Sequence, residues 1–179
     1  MSQKSKLYVD YDNQPFISDS RNLRDWEDFP EKYPYKKVER KQMVKVEEGL
    51  FPGDIVMLWR IGFDNFTNES TIPDYFEYRY GISAEESLNR LRDGGFIEDT
   101  TAMESLNLLN AAWVKRILRT KGLPVGGKKQ ELLERVYTHF TESELEELFS
   151  LRKYLATPAG RHLIGKYDDI IQAHGPKNL

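Results

Sequence analysis

The sequence contains no cysteine, which excludes disulfide bonds, thiolate catalysis and cysteine-ligated zinc. It has no apolar run near the roughly 20 residues that a membrane-spanning helix needs, and its first residues lack the apolar core of a secretory signal peptide. Histidine is also scarce: His139, His162 and His174 lie far apart, without metal-ligand spacing. We therefore expect a soluble cytoplasmic protein that has no metal site, no cofactor and no membrane partner.

Side chains that could form a catalytic site are equally sparse. The serine, histidine and aspartate residues do not follow one another along the chain in an order that suggests a hydrolytic triad. The carboxylate pairs Glu146–Glu147 and Asp168–Asp169 fall in charged helical segments, where a solvated surface is the simplest interpretation. We therefore expect no enzymatic activity.

The net charge of −3 conceals an uneven distribution along the chain. Residues 1–49 carry ten basic and ten acidic residues, and residues 50–109 carry four and eleven. Residues 110–140 carry seven and two, a net charge of +5, whereas residues 141–179 carry five and six. The cationic window predicts an anionic partner, and the acidic segment before it offers a surface to a basic protein.

Residues 1–49 show no regular apolar period, and Pro30 and Pro34 interrupt them. We expect a mostly irregular N-terminal arm with a short strand at Met43–Val46. The arm is rich in aromatic residues, which disordered segments usually lack, so we expect some of the rings to pack on the rest of the protein. These aromatic residues are Tyr8, Tyr11, Phe16, Trp26, Phe29, Tyr33 and Tyr35.

The segment that follows residue 49 contains residues that typically begin and end helices. Pro52 and Gly62 have the positions expected at the start and after the end of a strongly apolar helix. A second short helix, for which Thr71 can provide the cap, ends before Gly81. A third helix begins after Ser83, which stands three residues before a glutamate as in a capping box.

Two segments have the character of short strands, at residues 95–99 and 152–156, and a last helix covers residues 157–175. Three helices, a strand, a second strand and a helix are the layout of a winged helix whose wing has been replaced by about 50 residues. We therefore expect residues 50–100 and 151–175 to form a winged-helix-like domain, with the two strands paired antiparallel across the insertion.

The inserted segment contains a helix, the loop GLPVGG and a second helix. Gly122 to Lys129 spells G-x-x-x-x-G-K-K, one residue short of a nucleotide-binding loop. Such a loop follows a buried strand and ends in the hydroxyl of a Ser or Thr. Here an amphipathic helix precedes it and Lys129 occupies the hydroxyl position, so the sequence disfavours a nucleotide site.

A helix start that holds phosphate is the better interpretation. Lys128 and Lys129 stand where the helix dipole is already positive, a placement that makes sense if an anion binds the free amides there. Gly126 and Gly127 let a ligand backbone approach closely. We call this predicted arrangement, Gly126 to Lys129, the phosphate cradle.

Residues 110–136, NAAWVKRILRTKGLPVGGKKQELLERV, resemble a SAP motif. The matching positions are Val114, Lys115, Leu118, Gly122, Leu123, Pro124, Gly127, Lys129, Leu132 and Arg135. Asn110 replaces the hydroxyl cap of that motif, an exchange that helix starts tolerate. Gly126 replaces a Ser or Thr, which removes a hydroxyl contact to phosphate.

SAP motifs are DNA-binding modules that often prefer AT-rich duplexes, so the resemblance implies contact with double-stranded DNA that is dominated by the phosphate backbone. The flanking sequences PGDIVMLWRIG, IPDYFEYRYGI and LATPAGRHLI are similar to bacterial and phage-type proteins in which such elements surround a SAP segment. The predicted DNA-binding residues are Arg116, Arg119, Lys121, Gly126, Gly127, Lys128, Lys129 and Arg135.

The sequence therefore predicts a mainly α-helical fold with a small antiparallel β-hairpin, in which a SAP helix-loop-helix at residues 106–140 interrupts the winged-helix-like domain. An acidic connecting helix follows at residues 141–150. The third helix of the winged-helix-like part is acidic and would repel phosphate, so we interpret it as a scaffold. The alternative function is an adaptor, in which the SAP-like unit is structural and the acidic surface binds a protein partner.

Overall fold

A computed structural model describes residues 2–33 and 36–175. Pro34 and Tyr35, which the sequence analysis singled out, lie outside the described residues. The chain is mainly helical and has a small two-stranded antiparallel sheet. In chain order, the elements are α1 (Leu23–Asp28), α2 (Pro52–Ile61), α3 (Tyr75–Tyr78), α4 (Ala84–Asp93), β1 (Ile97–Asp99), α5 (Ala102–Ser105), α6 (Ala111–Thr120), α7 (Lys129–His139), α8 (Glu142–Leu148), β2 (Tyr154–Ala156), α9 (Pro158–Lys166) and α10 (Asp168–His174).

The two strands pair with each other, which confirms the predicted pairing across the inserted segment. The backbone amide of Thr100 donates to the carbonyl of Lys153 at 3.1 Å, and the amide of Thr157 donates to the carbonyl of Phe96 at 3.0 Å. Residues 100–153 lie between the strands, so the sheet is not closed by a tight turn.

The chain divides into two compact units. The terminal unit comprises the described parts of Met1–Gly62, Thr71–Ile97 and Ala156–Leu179. The central unit comprises Phe63–Ser70 and Glu98–Leu155. The central unit is therefore built from two separate stretches of chain, and it extends beyond the helix-loop-helix that the sequence predicts.

Helix α2 forms the middle of the terminal unit and packs against α4, α9 and α10. Pro52 begins the helix and Gly62 caps its end, as the sequence predicts. Its apolar side chains are buried, apart from that of Trp59, which is partly exposed. Asp54 is also fully buried: its carboxylate accepts the amide of Phe51 at 2.9 Å and two hydrogen bonds from Arg90, each at 2.9 Å.

The described part of residues 1–49 is irregular apart from α1 and single 3₁₀ turns, and it belongs to the terminal unit. Tyr8 and Trp26 are buried there. The predicted strand at Met43–Val46 is wrong, because Arg40–Met43 forms a 3₁₀ turn. The carbonyl of Met43 accepts a hydrogen bond from the side chain of Asn13 instead of from a strand.

Two other helix predictions need correction. The short helix α3 begins after Asp74 and not at Thr71. Pro73 disfavours a helical backbone at the residue before it, so the helical turn starts later. The last helix is divided at Tyr167 into α9 and α10. The hydroxyl of Tyr167 donates to Glu48 at 2.5 Å, which ties the break to the rest of the terminal unit.

The central unit has its own hydrophobic core, which α5, α6, α7 and α8 form together. Helix α5 and the 3₁₀ turn Leu106–Leu108 escaped the sequence analysis because they are too short for a periodic apolar pattern. The segment Phe63–Ser70 joins this unit through β-type hydrogen bonds. The amide of Tyr154 donates to the carbonyl of Phe66, and that of Asn68 donates to the carbonyl of Arg152, both at 2.9 Å.

Across residues 2–33 and 36–175, no helix is long and apolar enough to cross a membrane. Over the same ranges, no group of three or more His, Asp or Glu side chains is arranged to hold a metal ion.

Candidate nucleic-acid interface

Helix α6 provides one half of the candidate interface. Asn110 caps the helix, and its side chain accepts the amide of Trp113 at 2.9 Å, so asparagine performs the role expected of a capping hydroxyl. Val114, Ile117 and Leu118 are buried in the core of the central unit. The predicted amphipathic helix is therefore confirmed.

The outward face of α6 is cationic. With three residues buried on one side, helical geometry places Arg116 and Arg119 near the centre of the opposite side and Lys115 beside them. Arg116 and Arg119 are exposed, and the helix has no acidic residue. Within the described chain, no protein group is hydrogen-bonded to the side chains of Lys115, Arg116 or Arg119, although Arg116 lies over the ring of Trp113 at 4.9 Å.

The loop between α6 and α7 is held by Arg135, which the sequence assigned to DNA. Its Nη1 donates to the carbonyl of Pro124 at 2.6 Å and to that of Gly126 at 3.3 Å. Gly127 has a φ of 115°, a left-handed backbone that favours glycine. The structure thus gives Arg135 a bracing role inside the unit, and it leaves Gly126 facing open space.

The start of α7 differs from the predicted phosphate cradle in one respect. Lys128 is the cap residue and Lys129 the first residue of the helix. The amide of Lys128 already donates to the carboxylate of Glu131 at 2.7 Å. A resident carboxylate therefore uses one of the amides that phosphate was expected to use, whereas the exposed ammonium group of Lys128 has no protein partner in the described residues.

Lys121 and Lys129, two further predicted contacts, also bond within the central unit. The Nζ atom of Lys129 donates to the carbonyl of Asn107 at 2.8 Å. That of Lys121 donates to the carbonyl of His139 at 2.7 Å and pairs with Glu144 at 2.7 Å. The hydrogen bond from Lys121 lowers the pKa of Glu144. Both lysines connect elements of the unit, which leaves them less available to a ligand.

The acidic helix α8 uses much of its charge internally. Glu146 accepts the amide of Ala102 at 3.0 Å, and Glu142 accepts the amide of Met103 at 3.2 Å. These carboxylates provide hydrogen-bond acceptors for the first amides of α5, where negative charge is favourable. Helix α8 also contributes Leu145 to the core. It is therefore an integral part of the central unit, in addition to connecting α7 with β2.

The SAP domain model matches residues 105–141. This match covers 37 of the 179 residues and includes both α6 and α7. None of the curated proteins matches the chain. The chain is thus similar to SAP domains in this segment. The SAP domain is generally a DNA-binding domain, which supports a DNA-binding role for the central unit.

The match ends close to the limits of the helix-loop-helix, but the core that stabilises it is larger. Helix α5 begins before residue 105, and α8 begins after residue 141. Both helices contribute side chains to the same hydrophobic cluster. The SAP segment is therefore held inside the central unit by neighbours that the family pattern does not include.

Proposed function

We propose that this chain is a non-enzymatic DNA-binding protein that uses its SAP segment to contact the phosphate backbone of duplex DNA. The observation that carries the proposal is a set of exposed cations in that segment that make no hydrogen bond or ion pair with a protein group in the described residues. Arg116 and Arg119 project from the outward face of α6, and Lys128 stands at the start of α7. Cations that the protein does not use itself are available to phosphate.

The proposal implies weak sequence specificity, because phosphate contacts position a protein on DNA without reporting its sequence. The preference for AT-rich duplexes that the SAP resemblance implies remains a part of the proposal to be tested. These three cations, with Lys115 as a fourth at the side of α6, can neutralise about three or four phosphates. The logarithm of affinity should then fall with the logarithm of salt concentration with a slope between about −2.7 and −3.6.

We further propose that the elements flanking the central unit form a winged-helix-like frame of the bacterial or phage type. The support is their order: three helices, β1, the inserted segment, β2 and α9. The side chain of Thr157 caps α9 by accepting the amide of Gly160 at 3.1 Å, and its hydroxyl donates to the carbonyl of Gly95 at 2.7 Å. A cytoplasmic location belongs to the same proposal.

Salt-titrated binding to AT-rich and GC-rich duplexes of equal length tests this function. We expect micromolar or weaker affinity, a salt slope in the stated range and at most a small preference for the AT-rich duplex. A titration that gives nanomolar affinity with almost no salt dependence would contradict backbone contact and would indicate base recognition.

The alternative, an adaptor that binds a basic protein, is favoured by a different observation. Lys121, Lys129 and Arg135 all serve bonds within the central unit, as they would if the SAP segment were purely structural. Duplex binding that is undetectable even at low salt, together with a stable fold, would favour the adaptor.

A further inference from the structure

Trp113 is unusual among the tryptophans of this chain. Trp26 is 1% exposed, whereas Trp113 is 38% exposed on the surface of α6. An exposed indole ring offers a ligand a large, flat and rigid apolar surface. The guanidinium group of Arg116 lies over the ring, 4.9 Å from its centroid.

Arg116 itself has unused binding capacity. A guanidinium group carries five N–H donors, and none of them is hydrogen-bonded to a protein group in the described part of the chain. The contact with Trp113 is a cation–π interaction, which positions the planar group without using its donors. Trp113 and Arg116 therefore present stacking surface and hydrogen-bond donors at the same place.

Nucleobases are bound by this combination when they are not already stacked in a duplex. Unpaired bases stack on aromatic rings and on the planes of arginine guanidinium groups, while nearby cations follow the backbone. Arg119 lies one turn beyond Arg116 on the same face and has no protein partner in residues 36–175. No acidic residue of α6 opposes this arrangement.

We propose that Trp113 and Arg116 form a stacking site for an unpaired base, so that the central unit binds single-stranded DNA as well as duplex phosphates. This inference rests on the proposed function, because it assumes that the cationic face of α6 contacts nucleic acid. It adds a ligand class and a residue, Trp113, that phosphate contact alone does not require.

The test compares a fluorescein-labelled oligothymidylate with a labelled duplex of equal length, by fluorescence anisotropy with the full chain. We expect Trp113→Ala to weaken oligothymidylate binding about fivefold to a hundredfold, the range expected for one stacked base. Trp113→Phe retains a ring and should recover most of the loss. Tyr137→Ala is the matched control, because Tyr137 is an exposed aromatic residue on α7, 44% exposed, and should change the affinity by less than about twofold.

Tryptophan fluorescence provides a second readout. Oligothymidylate should quench the fluorescence of the wild-type chain, and the quenching should disappear in Trp113→Phe. Circular dichroism of every variant establishes that it is folded. An equal loss of oligothymidylate and duplex affinity in Trp113→Ala would overturn the inference, because the ring would then only position Arg116.

The outcomes separate this inference from the proposed function. Duplex binding without oligothymidylate quenching refutes the stacking site and leaves the proposed function standing. Absence of binding to either nucleic acid refutes both. Self-association of the wild type in sedimentation, lost in Trp113→Ala but retained in Tyr137→Ala, would also overturn the stacking site by assigning the ring to a protein interface.

Discussion

Helices α4 and α6 are both ten residues long and amphipathic, and each could contact DNA. Their cations have opposite roles. Arg90 of α4 donates two hydrogen bonds to the buried carboxylate of Asp54, and Arg92 donates to the side chain of Asn89 at 3.0 Å. Arg116 and Arg119 of α6 bond to no protein group in the described residues. The arginines of α6 are therefore available to a ligand, whereas those of α4 already bond within the protein.

Net charge does not reveal this difference. The central unit contains nine basic and eleven acidic residues, so it is slightly acidic as a whole. Several of its carboxylates accept backbone amides at the starts of helices, as Glu131, Glu142 and Glu146 do. Acidic groups committed in this way leave a locally positive face on α6, and at physiological salt a phosphate responds mainly to charges within about 8 Å.

The largest expected effect concerns stability. Arg90→Ala removes the two hydrogen bonds to buried Asp54 and leaves a carboxylate inside the terminal unit with a single amide donor. Breaking a buried pair in this way should lower the free energy of unfolding by about 3 kcal/mol. Arg116→Ala removes an exposed side chain and should change the free energy of unfolding by less than about 0.5 kcal/mol. Urea denaturation followed by circular dichroism measures both, and equal losses would erase the contrast between α4 and α6.

The second prediction concerns duplex affinity. Arg116→Gln combined with Arg119→Gln should reduce the salt slope by about 1.8 and the affinity at about 0.1 M salt roughly sixtyfold, since each lost phosphate contact removes about 0.9 from the slope. Arg24→Gln combined with Arg92→Gln removes the same charge from the terminal unit and serves as the control. If both double variants lose affinity equally, overall charge and not the face of α6 determines binding.

Two adjacent lysines sharpen the comparison within the SAP segment. The ammonium group of Lys128 is free of protein partners in the described chain, whereas that of Lys129 donates to Asn107. Lys128→Gln should therefore weaken duplex binding about eightfold at about 0.1 M salt. Lys129→Gln should weaken it less than about twofold, because the ammonium group is held at the carbonyl of Asn107 and makes no direct phosphate contact that the substitution could remove. Anisotropy titrations of the two variants with duplex DNA measure both affinities. A larger loss in Lys129→Gln than in Lys128→Gln would restore the predicted phosphate cradle with Lys129 at its centre.

Much of the SAP segment could be predicted from the sequence because its signals are local. Asn110 caps α6, and Thr141 and Glu144 form a capping box at the start of α8 with the spacing that the sequence shows. The buried residues of α6 and α7 recur at helical spacing. The antiparallel pairing of β1 and β2 was also predictable, because a Gly-terminated helix precedes one strand and a Thr-Pro helix start follows the other.

The partners of individual cations were not predictable, because they depend on residues distant in sequence. Lys121 reaches Glu144, and Lys129 reaches Asn107. The sequence shows where the lysines are, but it does not show which distant residue each lysine contacts. The joining of Phe63–Ser70 to the central unit escaped prediction for the same reason, since its hydrogen bonds connect to residues more than 80 positions away.

The smallest expected effect tests the position at which this loop departs from the SAP pattern. A side chain at Gly126 meets open space, and its backbone needs no positive φ. Gly126→Ser should therefore leave stability within about 0.5 kcal/mol of the wild type, and its hydroxyl should strengthen duplex binding roughly twofold to threefold through one added hydrogen bond to phosphate.

Gly127→Ser is the matched control for that substitution, because a Cβ atom there would collide with the carboxylate of Glu131 and the φ of 115° disfavours any other residue. It should cost about 1 to 2 kcal/mol of stability by disturbing the cap of α7. Calorimetric unfolding and duplex titration of the pair separate the two effects. If Gly126→Ser leaves affinity unchanged while Arg116→Gln combined with Arg119→Gln abolishes it, DNA contacts the face of α6 and does not reach the loop.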